Sequence, residues 1–380
     1  MQKFFFRMAL CLCVAAGLAA CEDDETPETP PAVQPTRGER GMYVVNQGNS
    51  YAPTAVDGSI SYFSFEEGGT NVSDLFYAAN NQSLGDTPQR AVLYGSKMYV
   101  PVFASNLLWV LDAQTLRIVA QVTTASPEAV CGAGGYVFVA NNDGHVTRVD
   151  TTSYAASAPL AVGPNPADVV AVGDSVYVSV SDGYNSANGY ADGFRVAVVD
   201  ARQMVKTRDI TVGMNPGKMA TDAYGNVFVV CMGNYGLLTP NVSPEVWKID
   251  AADGRATAFC PGSIIATNSQ NRTSRDVMRE DVLYVINYST NYTTYETTYT
   301  SAAYHTTSGE ELTTQLLPAD QLPPAPIAMD VNPADGCLYV CTDKSGAAYA
   351  EPGSVMVYTA NGTYVRTYAA GVHPYGVVFR

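Results

Sequence analysis

A short apolar run built on an aromatic residue followed by valine recurs seven times along the 380-residue chain: MYVV at 42, MYVP at 98, VFVA at 137, VYVS at 176, VFVV at 227, LYVI at 283 and LYVC at 338. Successive copies start 39 to 56 residues apart. A period of that length is one supersecondary unit, too small to bury its own apolar faces and obliged to stack on its neighbours.

Each unit supplies about four strands. Eleven residues before most of the aromatics stands a proline opening an earlier apolar run, at Pro88, Pro127 and Pro166, with slightly longer turns after Pro216 and Pro326. In the sixth copy Thr273 or Arg272 takes the place of this proline. Gly, Asp and Asn between the two runs supply hairpin turns. A third run closes in Asp112, Asp150, Asp200 or Asp250, and a fourth follows, as in RIVAQVTT. Four-stranded antiparallel units at this spacing predict an all-β, seven-bladed β-propeller, because each sheet then has a neighbour on both faces. The C-terminal HPYGVVFR reads as a lone first strand from Pro374, so residues 374–379 are expected to pair with 42–46 and close the ring. Closure removes the exposed edges of an open sheet.

The N-terminus has a different composition. Lys3 and Arg7 precede an apolar stretch and small residues, the layout of a secretory signal over residues 1–20. Leu18-Ala19-Ala20-Cys21 resembles a bacterial lipobox, which implies lipidation at Cys21. The acidic run Glu22 to Glu25 behind it resembles the surface-export signal of Bacteroidetes-type lipoproteins, and the Pro-rich stretch to residue 40 reads as a tether. The expected organisation is therefore signal 1–20, tether 21–40 and propeller 41–380. Loss of Lys3 and Arg7 would change the charge from −15 to 19 − 36 = −17. Nucleic acid and anionic lipid surfaces are poor partners for so acidic a body. Cys131, Cys231, Cys260, Cys337 and Cys341 are odd in number and imply no disulfide framework.

In a propeller, the loops from second to third strand and those between blades gather on one rim, where function usually resides. Here those loops are long in blades one and four to seven and short in two and three. They carry Tyr51, Tyr184, Tyr190, Tyr235, Tyr288, Tyr292, Tyr295, Tyr299, Tyr304 and Tyr349 among Asn, Ser and Thr. The densest stretch, NYSTNYTTYETTY at 287–299, contains no aliphatic side chain. It is expected to form a ligand-facing loop or a long hairpin above the ring. Tyrosine gives stiff amphipathic contact area and Asn or Ser gives adaptable hydrogen bonds. The competing account is that the tyrosines pack the long loops against each other.

Two positions beyond each blade-opening proline stand Arg90, Ala129, Asp168, Lys218, Arg275 (counting from Thr273), Ala328 and Gly376. Three cations against one carboxylate point to an acceptor-rich or anionic ligand group near the axis. Internal pairing with Asp168 is the alternative. His145, His305 and His373 have no metal-ligand spacing, and DAADG at 250–254 reads as a turn.

Tyr43-Val44-Val45-Asn46, Phe138-Val139-Ala140-Asn141 and the segments VGPNPADV and VGMNPGKM resemble the YVTN repeats of YncE-like seven-bladed propellers, over residues 41–380. Within that resemblance, BtuG-type surface lipoproteins imply a non-enzymatic role: capture of cobalamin as cargo, with no cofactor of the protein's own, and delivery to an outer-membrane TonB-dependent transporter. On that expectation Arg90, Lys218, Arg275 and Asp168 meet polar groups of the ligand and the tyrosines cover its apolar faces. The membrane is contacted through the lipid anchor alone, at the outer surface of the outer membrane. A glycan- or protein-binding module is the first alternative. The second is a propeller lactonase, which needs carboxylates converging on the channel, where Asp168 alone stands at such a position.

Overall fold

The computed structural model describes residues 34–36, 38–50, 55–250, 252–268, 281–291, 294, 296–344 and 351–380. They form seven four-stranded antiparallel sheets. The aromatic-valine runs are the second strands, from Gly41–Asn46 to Leu338–Asp343. Side chains of a strand alternate between two faces, and here both faces meet a neighbouring blade. Tyr43, Tyr99, Phe138 and Phe228 are completely buried, and Tyr177, Tyr284 and Tyr339 are at most 8% exposed. Tyr99 packs with Val137 and Val139 of the next blade, and Phe138 with Val176 and Val178 of the one after. Burying such a ring stabilises the stack by about 1.5–3 kcal/mol.

The ring closes in the expected register. The last strand, Pro374–Phe379, pairs with Gly41–Asn46 from Met42 opposite Phe379 to Asn46 opposite Pro374. The inner strands share a bulge just after the proline, at Pro127/Ala129, Pro166/Asp168, Pro216/Met219 and Pro326/Ala328. A bulge places two residues against one and re-aims their side chains, which is how Glu128 and Asp168 come to lie beside the axis.

The residue before the proline is left-handed in five blades: Thr87, Ser126, Asn165, Asn215 and His373 have φ between 45° and 59°. That conformation is costly for a non-glycine residue. Its carbonyl is used in every case. It accepts an N–H from the end of the second strand: Phe103 to Thr87 at 3.0 Å, Asn142 to Ser126 at 2.9 Å, Ser181 to Asn165 at 3.2 Å, Met232 to Asn215 at 3.0 Å and Gln47 to His373 at 2.9 Å. This pins each sharp turn to the end of its own blade's second strand.

Three features differ from the sequence expectation. The inner strand of blade six is Ile264–Thr267, with Ala266 opposite Tyr284, so that blade opens after Pro261-Gly262 and not at Thr273. Blade one has a two-residue outer strand, Asn71–Val72, followed by a short helix, Leu75–Asn80. Asp74 caps this helix through the Tyr77 N–H, and Phe76 packs on Trp109 of blade two, ring centres 5.6 Å apart. Finally, the last described residues ahead of 41 are docked on blade one: the Glu39 carboxylate accepts the N–H groups of Thr70 at 2.6 Å and Thr36 at 2.8 Å.

Candidate functional site

The second-to-third strand loops share a rim with the turns between blades, as the hydrogen bonds to the left-handed residues require. On this rim blade three has only a tight turn between Tyr136–Asn141 and His145–Asp150. In blade six the second and third strands, Val282–Asn291 and Glu296–His305, run ten residues each. Beyond Ile286, the last residue paired to the inner strand, they pair only with each other, which lifts the hairpin about 16 Å above the blade. Tyr288 stands directly opposite Tyr299, and the Thr290 and Thr297 hydroxyls lie 3.0 Å apart. Residues 287–291 and 296–299 thus take the long-hairpin form, and Tyr299 packs against the apolar core between blades six and seven.

Blades four and five set further tyrosines beside this hairpin. Tyr190 is fully buried and its ring meets Tyr235 edge-on, centres 6.1 Å apart. Tyr235 is 37% and Tyr184 79% exposed. Burial, then the nearby phenols of Tyr288, Tyr190 and Tyr184, push the Tyr235 hydroxyl up to about 12. Tyr184 of blade four and Tyr288 of blade six therefore both lie within electrostatic reach of Tyr235 of blade five. The loops beneath are held by their own polar groups: Asp182 accepts the Asp192 N–H at 3.0 Å, and the Asn234 amide donates to Pro240 O at 2.8 Å. Leu237, 66% exposed, adds an aliphatic edge.

Two tyrosines leave the expected face. Tyr190 presents no surface to a ligand, because it forms the floor on which Tyr235 rests. Tyr304 lies at the far end of the hairpin, opposite Leu283, packs on Phe259 and donates to Glu311 at 3.0 Å. Tyr51, Tyr292, Tyr295, Tyr349, Arg275 and Cys21 lie outside the described residues. The inner strand of blade six is Ile264–Thr267, and its position matching Arg90 and Lys218 is Ile264, in place of the expected Arg275.

At the axis the charge balance departs from three cations against one carboxylate. Arg90 contacts the carboxylate of Asp330, a buried residue two positions beyond Ala328 on the inner strand of blade seven. Gly376 makes room for it, since a Cβ there would stand 2.9 Å from Arg90 Cγ. Lys218 lies over the Tyr375 ring, 5.2 Å from its centre. Burial alone would lower the Lys218 pKa, but Tyr375, Asp168 and Glu128 together raise it above the ordinary value. Burial pushes the Glu128 carboxyl up, Lys218 pulls it back and Asp168 adds to the rise. Asp168 is engaged as a strut between blades: it accepts the N–H of Val169 at 2.9 Å and of Met219 at 2.7 Å. Asp330 does the same toward the closing strand through Val377 N–H at 2.9 Å.

A ring of seven antiparallel sheets, closed by its last strand and bearing an aromatic platform on one rim, defines a seven-bladed β-propeller with a built loop face. Residues 40–379 match the family described as "Domain of unknown function (DUF5074)", and the chain belongs to that family. No curated protein matches the sequence. Among solved structures it is similar to hydrazine synthase of Kuenenia stuttgartiensis, at 17% identity over 76% of this chain and 88% of that one, TM-score 0.58. It is also similar to a quinoprotein alcohol dehydrogenase-like protein of Bacteroides thetaiotaomicron, at 14% identity over 90% and 78%, TM-score 0.62. Likeness at these identities concerns the fold alone.

Proposed function

We propose that this propeller is a non-enzymatic binding protein that captures a solute on its tyrosine-bearing rim, with a corrinoid such as cobalamin as the cargo. The observation that carries the reading is the convergence of Tyr184, Tyr235 and Tyr288 from three blades, with Tyr184 left 79% exposed on a hydrogen-bonded loop. A stiff, exposed aromatic platform loses little entropy when it covers a ring face or an apolar rim of a ligand. In this reading Cys21 is lipidated, the protein sits on the outer face of the outer membrane, and the cargo passes to a TonB-dependent transporter. Catalysis of the lactonase kind is disfavoured by Asp168, whose carboxylate oxygens are occupied by backbone N–H groups.

An axis with two cations against three carboxylates does not call for an anionic ligand, which favours one further reading of the same face, a neutral glycan, because tyrosine platforms stack equally well on sugar rings. Calorimetry of the mature chain separates the two. Saturable heat with cyanocobalamin, abolished by Tyr184→Ala together with Tyr235→Ala, supports corrinoid capture. Heat with neutral oligosaccharides and none with corrinoids replaces the cargo, and no heat with either removes solute capture on this rim.

A further inference from the structure

A cavity of about 540 Å³ runs along the axis on the far side of the charged layer from the tyrosines. Its inner end is Arg90 and Asp168, and its outer edge is Tyr94, Phe379 and Pro333. Tyr94 and Phe379 end inner strands, and Pro333 lies in the turn that leads from the inner to the second strand of blade seven. The cavity therefore opens on the rim opposite the loop face. We infer that this well is a second binding site, for a compact uncharged amphiphile whose apolar body fills the well and whose hydrogen-bond-accepting head reaches Arg90.

Size, wall chemistry and the inner end each support this. The volume falls within the range of about 300–1,000 Å³ usual for small-molecule sites. Val92, Leu93, Val130, Val170, Val377 and Phe379 supply hydrocarbon along the walls. The walls are held rigid, because Asp168 and Asp330 each tie one inner strand to the next. Arg90 is 25% exposed, and among the described residues Asp330 is its one ion-pair partner. A guanidinium carries five N–H donors, so donors remain for a ligand.

The head is uncharged by the same accounting. Asp330 offsets Arg90, and Asp168 and Glu128 outnumber Lys218, so two cations stand against three carboxylates. An anionic head would approach Arg90 beside two carboxylates, and a cationic head would meet Arg90 itself. A carbonyl, ether or hydroxyl oxygen takes the free N–H donors without disturbing that balance. Cys131, half-buried in the wall, supplies an internal reporter. Burial raises its pKa, and the thiol is a neutral part of the wall.

The test titrates the mature chain with uncharged N-phenyl-1-naphthylamine and with anionic 1-anilinonaphthalene-8-sulfonate, reading fluorescence. The expected result is one saturable site, at least tenfold tighter for the uncharged probe, weakened tenfold or more by Ala171→Trp in the wall and unchanged by Tyr235→Ala on the other rim. In the unsubstituted chain, saturating N-phenyl-1-naphthylamine should slow modification of Cys131 by N-ethylmaleimide, followed by peptide mass at alkaline pH and over an exposure long enough for the probe-free chain to react despite its raised thiol pKa. This second readout does not depend on the tryptophan variant folding. Absence of saturable binding, tighter binding of the sulfonate, loss of binding in Tyr235→Ala, or no protection of Cys131 would each overturn the proposal. Because the probes report on the far rim, failure here leaves solute capture by the tyrosines standing.

Discussion

The two rims of the ring are built under different rules. On the rim of the third-to-fourth strand turns, one device repeats from blade to blade. Asp112 accepts the N–H groups of Gln114 and Thr115, Asp150 those of Thr152 and Ser153, Asp200 those of Arg202 and Gln203, and Asp250 that of Ala252. Each is an Asx-type turn that satisfies orphan backbone donors. On the other rim, blade three makes a tight turn where blade six raises a ten-residue hairpin and blade four folds a loop over Tyr190. The difference teaches where the constraints lie. Turn caps and interblade aromatics are dictated by the stack, and a loop that leaves the sheet beyond its last paired residue is released from it.

If that division holds, damage to the stack is global and damage to the loop rim is local. Removing residues 374–380 deprives blade one of its inner strand and exposes the edge of Gly41–Asn46. The expected result is aggregation and no cooperative melt by calorimetry and light scattering. A soluble, cooperatively unfolding truncation would mean that the closing strand is dispensable. Phe138→Ala opens a cavity between blades three and four and should cost about 3–5 kcal/mol in denaturant unfolding.

Asp112→Ala, on the uniform rim, is expected to cost about 1 kcal/mol by the same measurement, through lost turn hydrogen bonds. Glu39 adds a pH test of how the chain docks on that rim. Burial works to raise its pKa, but hydrogen bonds from Thr70 and Thr36 outweigh it and lower the pKa from 4.5 to about 2. A depressed carboxylate pKa stabilises the folded state fully above about 4.5, and that contribution fades as pH falls toward about 2. Glu39→Gln should therefore lower Tm at pH 7, with the gap to the unsubstituted protein closing between those two pH values. A pH-independent gap would mean that the carboxylate charge is not what holds the segment. The smallest effect belongs to the loop rim: replacing residues 289–298 with a two-residue Asn-Gly turn should shift stability by no more than about 0.5 kcal/mol, with any loss falling on ligand binding.

The stack was legible in the sequence because its requirements repeat. Aromatic-valine pairs, opening prolines and the orphan strand at Pro374 follow from two-sided burial and ring closure, and the register of 374–379 on 42–46 came with them. Blade six escaped because its inner strand, Ile264–Thr267, lies far upstream of Val282 and has no proline at the usual distance. Pro261-Gly262 ahead of Ile264-Ile265-Ala266 was the available signal. The helix at Leu75–Asn80 has its own signal in Asp74 as cap, at the place where the repeat pattern predicts only a fourth strand.

The axis was half legible. Arg90, Lys218 and Asp168 do meet there, but Glu128 is the extra residue of the bulge after Pro127, and Asp330 lies two positions beyond Ala328 on the same strand face. The tyrosine rim was legible as composition and not as geometry. Which rings face solvent depends on loop folding, as Tyr190 and Tyr184, six residues apart and oppositely exposed, illustrate.

The course of the first strand has a directional consequence. Gly41 exchanges backbone hydrogen bonds with Arg380, and the strand then climbs from the turn-capped rim to Asn46 on the loop rim. Blade one is therefore entered from the turn-capped rim, the rim on which the axial well opens, and the aromatic platform stands at the opposite end of that first climb.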